Sequence, residues 1–210
     1  MAFFMRCWRS ARLELFGLFF SAVLTLGLSG PAGAQTAEPE VTQLAVEQVG
    51  DAVLLNAAVR FELSEALEDA LIKGVPLIFV AEADIVRERW YWTNKKVSSA
   101  ARHLRLSYQP LTRRWRLTIG SGQGGTAELG MALNQSFDTL AAGLAAVQRI
   151  SRWKIAETAA VEPGQKHRLY FSFRLDTTQL PRPLQIGTLG QSEWSMSVSA
   201  SRPLGAEGGK

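Results

Sequence analysis

Cysteine is nearly absent from this 210-residue sequence, and its one thiol, Cys7, falls in the first 34 residues, a segment read below as an export signal. The remainder can therefore form no disulfide, no thiolate metal site and no cysteine nucleophile. Histidine is scarce too: only His103 and His167 occur, neither has a partner at metal-ligand spacing, and both are expected on the outward phase of a strand. No serine sits in a Gly-x-Ser-x-Gly elbow. The run GSGQGG at Gly120–Gly125 has the composition of a phosphate cradle, but no lysine and hydroxyl residue follow it, so it reads as loop. Glu82 and Asp84, two apart on one strand face, suit paired-carboxylate chemistry; ion pairing to nearby arginines is the commoner use of that pattern. No catalytic residue, metal or cofactor is expected, and the chain reads as non-enzymatic.

Long apolar runs are missing as well, apart from Leu13–Leu28. That run follows Arg6, Arg9 and Arg12 and precedes PAGAQ, with Ala32 and Ala34 at the small-residue positions of a signal peptidase site. Residues 1–34 thus read as a signal peptide cleaved between Ala34 and Gln35. An uncleaved anchor is the competing reading; Glu14, Gly17, Gly27 and the short length count against it. Export places the protein in the periplasm. The expected organisation is a flexible leader at 35–40, a single domain at 41–203 and a flexible tail at 204–210. A domain of that size buries about 70% of its unfolded surface and needs no disulfide.

Two-residue alternation is abundant, and it marks strands with one wet face. Val53, Leu55, Ala57, Val59, Phe61 and Leu63 share a phase, as do Leu104, Leu106 and Tyr108; Trp115, Leu117 and Ile119; Leu169, Phe171, Phe173 and Leu175; and Trp194, Met196, Val198 and Ala200. VTQLAVEQV, from Val41, is a weaker first strand. Helical signal is thin. SEALEDALIKG has Ser64 as N-cap and Gly74 as stop; SFDTLAAGLAAVQRI puts Phe137, Leu140, Ala141 and Leu144 on one stripe, with Ser136 as cap. The fold expected is mainly β: an antiparallel β-sandwich of immunoglobulin/fibronectin-like architecture, with eight or nine strands and two short α-helices.

Pro76 to Thr93 reads as strand throughout, which is too long for one flat strand. Its phase slips at Ile85-Val86, so a bulge near Asp84–Arg87 is expected to bend the strand from one sheet into the next.

Charge is unevenly spread. Glu38–Asp69 holds eight acids and one base, Arg60; Arg87–Arg116 holds nine Lys and Arg and one acid, Glu88. The basic stretch opens with RERWYWTNKK and continues into HLRLSYQPLTRRWRL, a hairpin with Pro110-Leu111 at its tip. An even loop sets Leu106 opposite Trp115, Leu104 opposite Leu117, Arg105 opposite Arg116 and Arg114 opposite Ser107. Facing arginines cost stability unless Glu82, Asp84 or Glu88, or an outside anion, intervenes. Arg87, Arg89, Lys95, Lys96, Arg105, Arg114 and Arg116 form the candidate basic face. Basic residues among aromatics also suit nucleic acid, but export argues against that partner.

RERWYWTNKKVSSAARHLRLSYQPLTRRWRL, QSFDTLAAGLAAVQRISRW and HRLYFSFRLDTTQLPRPLQI together resemble a family of exported bacterial proteins known as domain of unknown function 4390. The resemblance covers nearly all of the chain beyond residue 34. It implies a signal-bearing envelope protein often encoded near a membrane sensor kinase, and it carries over no catalytic residue. The leading expectation is a binding or accessory module for an acidic envelope protein, with a sensor kinase ectodomain as a candidate. The alternative is an envelope-assembly factor on anionic lipid or polysaccharide, touching the membrane only peripherally or through an uncleaved signal.

Overall fold

In a computed structural model, the alternating segments become two antiparallel sheets facing each other. The structure describes residues 38–89, 94–121, 133–162, 164–178, 180 and 194–204. The expected signal peptide and its cleavage site, Trp90 and Trp92, most of GSGQGG and residues 205–210 lie outside them.

The strands are β1 (Glu40–Val49), β2 (Ala52–Arg60), β3 (Leu77–Arg87), β4 (Lys95–Gln109), β5 (Arg114–Ser121), β6 (Leu133–Phe137), β7 (Arg149–Glu157), β8 (His167–Leu175) and β9 (Ser197–Leu204). Two helices interrupt them, α1 (Glu65–Ile72) and α2 (Leu140–Val147), with a 3-10 turn at Thr158–Ala160. The smaller sheet has the order β1-β2-β7 and the larger β6-β5-β4-β3-β8-β9. The fold is thus a mainly β, antiparallel sandwich with two short helices.

The core is the sum of the alternations. Val53, Leu55, Ala57 and Val59 from β2 face Leu77, Phe79, Ala81, Ala83 and Ile85 from β3 and Leu169, Phe171 and Phe173 from β8, all buried. Each large side chain so buried contributes about 1.5–3 kcal/mol of transfer free energy. Phe61, just beyond β2, stacks on Phe173 at 5.7 Å between ring centres and tilts against Phe79 at 5.4 Å, joining the two layers. Hydrogen bonds close the sides: Arg202 Nη1 donates to Leu44 O at 2.6 Å across β9 and β1, and Ser98 Oγ donates to Ile155 O at 2.7 Å across β4 and β7.

Helix α1 begins as expected: Ser64 Oγ accepts from the Leu67 N–H at 3.4 Å. Helix α2 differs. Ser136 lies in β6 opposite Arg116, so it cannot cap; Thr139 does, its Oγ1 accepting from the Ala142 N–H at 3.2 Å. The buried stripe is Gly143 and Val147, not Ala141, which is exposed. The helix covers the part of the large sheet that extends past β4. A Cβ on Gly143 would lie 3.2 Å from Leu106 Cδ1 and 3.7 Å from Trp115 Cβ, so glycine lets the helix lie flat. Gly143→Leu is expected to lift α2 and cost about 1–3 kcal/mol in urea unfolding, as overpacking does.

Strands β6 and β7 escaped the alternation. β6 is short, and β7 breaks phase where Arg152 adopts φ 46°. Asn56 holds that bulge, its Oδ1 accepting from the Arg152 N–H at 2.8 Å.

The long strand is also corrected. β3 ends at Arg87, and Glu88 and Arg89 are not strand. The ladder to β4 shifts after Ile85↔Ser98, resuming at Val86↔Lys96, while the ladder to β8 runs unbroken from Phe79 to Arg87. The extra residue therefore belongs to β4, as Val97, and β3 stays in one sheet. Ile85 keeps the odd phase and is fully buried. Ile78 and Val80 are buried on the outward phase, between Arg105, His103 and Arg174 on neighbouring strands.

Candidate functional site: the outer face of the large sheet

The β4–β5 turn occupies Pro110–Arg113, closing with Arg113 at φ 52°. No Gly or Asn marks that left-handed position, so the turn falls one residue later than expected. The register is Leu106↔Leu117, Leu104↔Ile119 and Tyr108↔Trp115. Leu106 and Trp115 still share the inner face, diagonally, and the Tyr108 and Trp115 rings are 4.7 Å apart. Arg105 faces Thr118, Arg116 faces Ser107 and Arg114 faces Gln109. The expected Arg105–Arg116 pair is therefore diagonal, about 7–8 Å apart at the backbone. Arg105 and Arg116 thus do not face each other directly and need no anion between them.

The carboxylates expected to intervene go elsewhere. Glu82 pairs with Arg174 at 3.2 Å, Asp84 with Lys96 at 2.7 Å, and Glu88 with Arg168. The Glu88 hydrogen bond, then its charge, raises the Arg168 pKa above the ordinary guanidinium value. Acids of the Glu38–Asp69 run serve their own elements: Glu40 binds Arg60 at 3.0 Å, Asp69 reaches Lys73 at 3.6 Å, and Glu47 accepts from Asn56.

The seven candidate cations divide into two groups. Arg87, Arg89, Lys95 and Lys96 lie where β3 ends and β4 begins; Arg105, Arg114 and Arg116 lie towards the β4–β5 turn. Ten residues of β4 separate Lys95 from Arg105, about 33 Å. In the first group Arg87 is held by Glu162 at 2.7 Å and Lys96 by Asp84. In the second, Arg114 meets Asp138 at 3.3 Å, with the Asp138 side chain 82% exposed. Arg105 and Arg116 project outward and exposed, with no carboxylate partner among the described residues. Leu111, at the tip of the turn, is fully exposed.

Beyond this face, Glu82 and Asp84 line a shallow groove with Tyr170, Ser172, Ser199 and Ser201, but their ion pairs commit them. His167 is not outward. It shares the phase of Leu169 and Phe171 and is buried, with Nδ1 3.1 Å from Gln165 O and Nε2 without a partner among the described residues. Arg102 also escaped the reading. It has the inward parity of Leu104 and Leu106, the one signal that could have found it, and its guanidinium lies 5.0 Å from the centre of the Trp153 ring.

No curated protein and no solved structure gives a match. A family model described as a domain of unknown function, DUF4390, matches residues 36–202, nearly the whole sandwich including both groups of cations. The chain belongs to the DUF4390 family.

Proposed function

We propose that this chain is an exported, non-enzymatic binding module of the bacterial periplasm, and that Arg105 and Arg116 are the centre of its contact with an acidic partner protein. The outer part of a membrane signalling protein is the candidate. One observation carries the reading. Arg105 and Arg116 are exposed diagonal neighbours on adjacent strands, while Asp138, two residues past the partner of Arg116, is engaged by Arg114, and Glu82 and Asp84 by Arg174 and Lys96. A rigid sheet presents the diagonal pair, so little side-chain and backbone order remains to be acquired on binding. Arg114 and Leu111 extend the patch along the hairpin.

The test is a pulldown from envelope extracts with wild type and with Arg105→Glu/Arg116→Glu. Loss of a captured protein from the folded double variant is the expected result. Capture of the same protein by both chains overturns the assignment of this face. Salt-sensitive binding to anionic vesicles or glycan, with no protein captured, favours the envelope-assembly alternative instead.

A further inference from the structure

The side of the sandwich where β7 lies over β4 holds an open cleft of about 610 Å³. Arg102, Arg152 and Lys154 line it, together with Trp153, Ser99 and Ser121, and no acidic side chain does among the described residues. Arg102 is the unusual member. It occupies the inner face of β4, opposite Ala81 on one side and Ser121 on the other. Its Nε is buried with no hydrogen-bond partner, and no carboxylate pairs with it among the described residues. Burial lowers its pKa from the ordinary guanidinium value. Contact with the Trp153 ring compensates only in part, because a π-face accepts no N–H geometry of the kind a guanidinium fork offers.

A half-buried cation whose Nε is sealed off without an anion is a cost that folding alone does not explain. Arg152 and Lys154, both exposed, border the same opening, with the Lys154 amine shared with Glu157 at 3.6 Å. Arg152 is set there by the bulge that Asn56 clamps. Several cations with no lining acid among the described residues favour a multiply charged oxyanion over a single carboxylate, and the guanidinium fork matches two oxygens at once.

We propose that this cleft is a phosphoryl-binding site, in which Arg102, backed by Trp153, takes the phosphoryl oxygens and Arg152 and Lys154 complete the charge. The site opens between the sheets, away from the outward face that carries Arg105 and Arg116, and it stands independently of the partner contact.

The experiment uses residues 35–210 and three probes: inorganic phosphate, glycerol phosphate, and phosphatidylglycerol vesicles against phosphatidylcholine vesicles. The readouts are the Arg102 Nε–H resonance and the unfolding midpoint. A saturable resonance shift and a midpoint rise of about 2–4 °C at several times Kd are expected, neither reproduced by sodium chloride at equal ionic strength. Arg102→Gln is expected to weaken binding at least tenfold; Arg105→Glu/Arg116→Glu is expected to leave it intact. Ser121→Asp places a carboxylate opposite Arg102 on an exposed strand position. It is expected to raise the midpoint without ligand and abolish the response, which keeps the test open if Arg102→Gln does not fold. A response to the soluble probes identifies a free phosphate compound as the source. One confined to phosphatidylglycerol vesicles identifies a lipid headgroup. No saturable response in any arm, or an undiminished one in the folded Arg102→Gln or Ser121→Asp variant, overturns the proposal.

Discussion

Phe173→Ala is expected to destabilise the fold by about 3–5 kcal/mol. Its side chain is fully buried on β8, within 5.7 Å of both the Phe79 and Phe61 rings, and those two rings are 5.4 Å apart. The three rings come from β8, from β3 and from the chain just beyond β2, so the vacated volume would lie between the layers. The two ladders around it hold the backbone and prevent full collapse into the space. Domains of this kind have about 5–15 kcal/mol in total, so the loss is a large share. Guanidinium unfolding followed by circular dichroism measures it. Phe173→Leu, which keeps most of the volume, should cost distinctly less. An alanine variant within about 1 kcal/mol of wild type would mean that the rings do not hold the sheets together.

The second large effect concerns binding. Reversing both Arg105 and Arg116 changes the local charge by four units on a surface whose neighbouring carboxylate, Asp138, is already taken by Arg114. An acidic partner should then lose about 100-fold or more in affinity, with much of the loss in association rate, since steering depends on the sign of the field. Neutral Arg105→Gln/Arg116→Gln should lose less, and wild-type binding should weaken as salt rises past the screening length. Stability should stay within about 0.5 kcal/mol, because both side chains are exposed and make no ion pair among the described residues. Biolayer interferometry on a captured partner, paired with thermal unfolding of each variant, separates the two quantities.

Much of the fold was legible because burial and parity agree. Val53 through Leu63, and Leu169 through Leu175, are buried at every second residue, as a sheet with one wet face requires. Helix α1 was legible because Ser64 and Gly74 announce its ends. What failed was geometry that parity does not encode. A two-residue change in register preserves which face each side chain takes, so Leu106 and Trp115 remained together while the arginine pair changed partners. The turn closed on Arg113, a residue that does not advertise a left-handed conformation. β7 was missed because its bulge at Arg152 breaks the period, and with it went Trp153 and the cleft. His167 was misread because a polar residue on an inward phase was credited to its polarity and not to its position; Arg102, on the inward parity of Leu104, was passed over. The two outward arginines were identified correctly as cations, but nothing in the sequence says that Glu82 and Asp84 would prefer Arg174 and Lys96.

The pairing scheme also governs the order in which the chain can be completed. β2, the middle strand of its sheet, waits for β7: Ala57 finds Ile150. β3 waits for β8: Ala83 finds Phe171. Each partner arrives roughly ninety residues later, so a chain emerging from the ribosome N-terminus first displays its oiliest ribbons long before their covers exist. Slow, all-at-once assembly and a need for protection from self-association are the natural companions of such distant pairing.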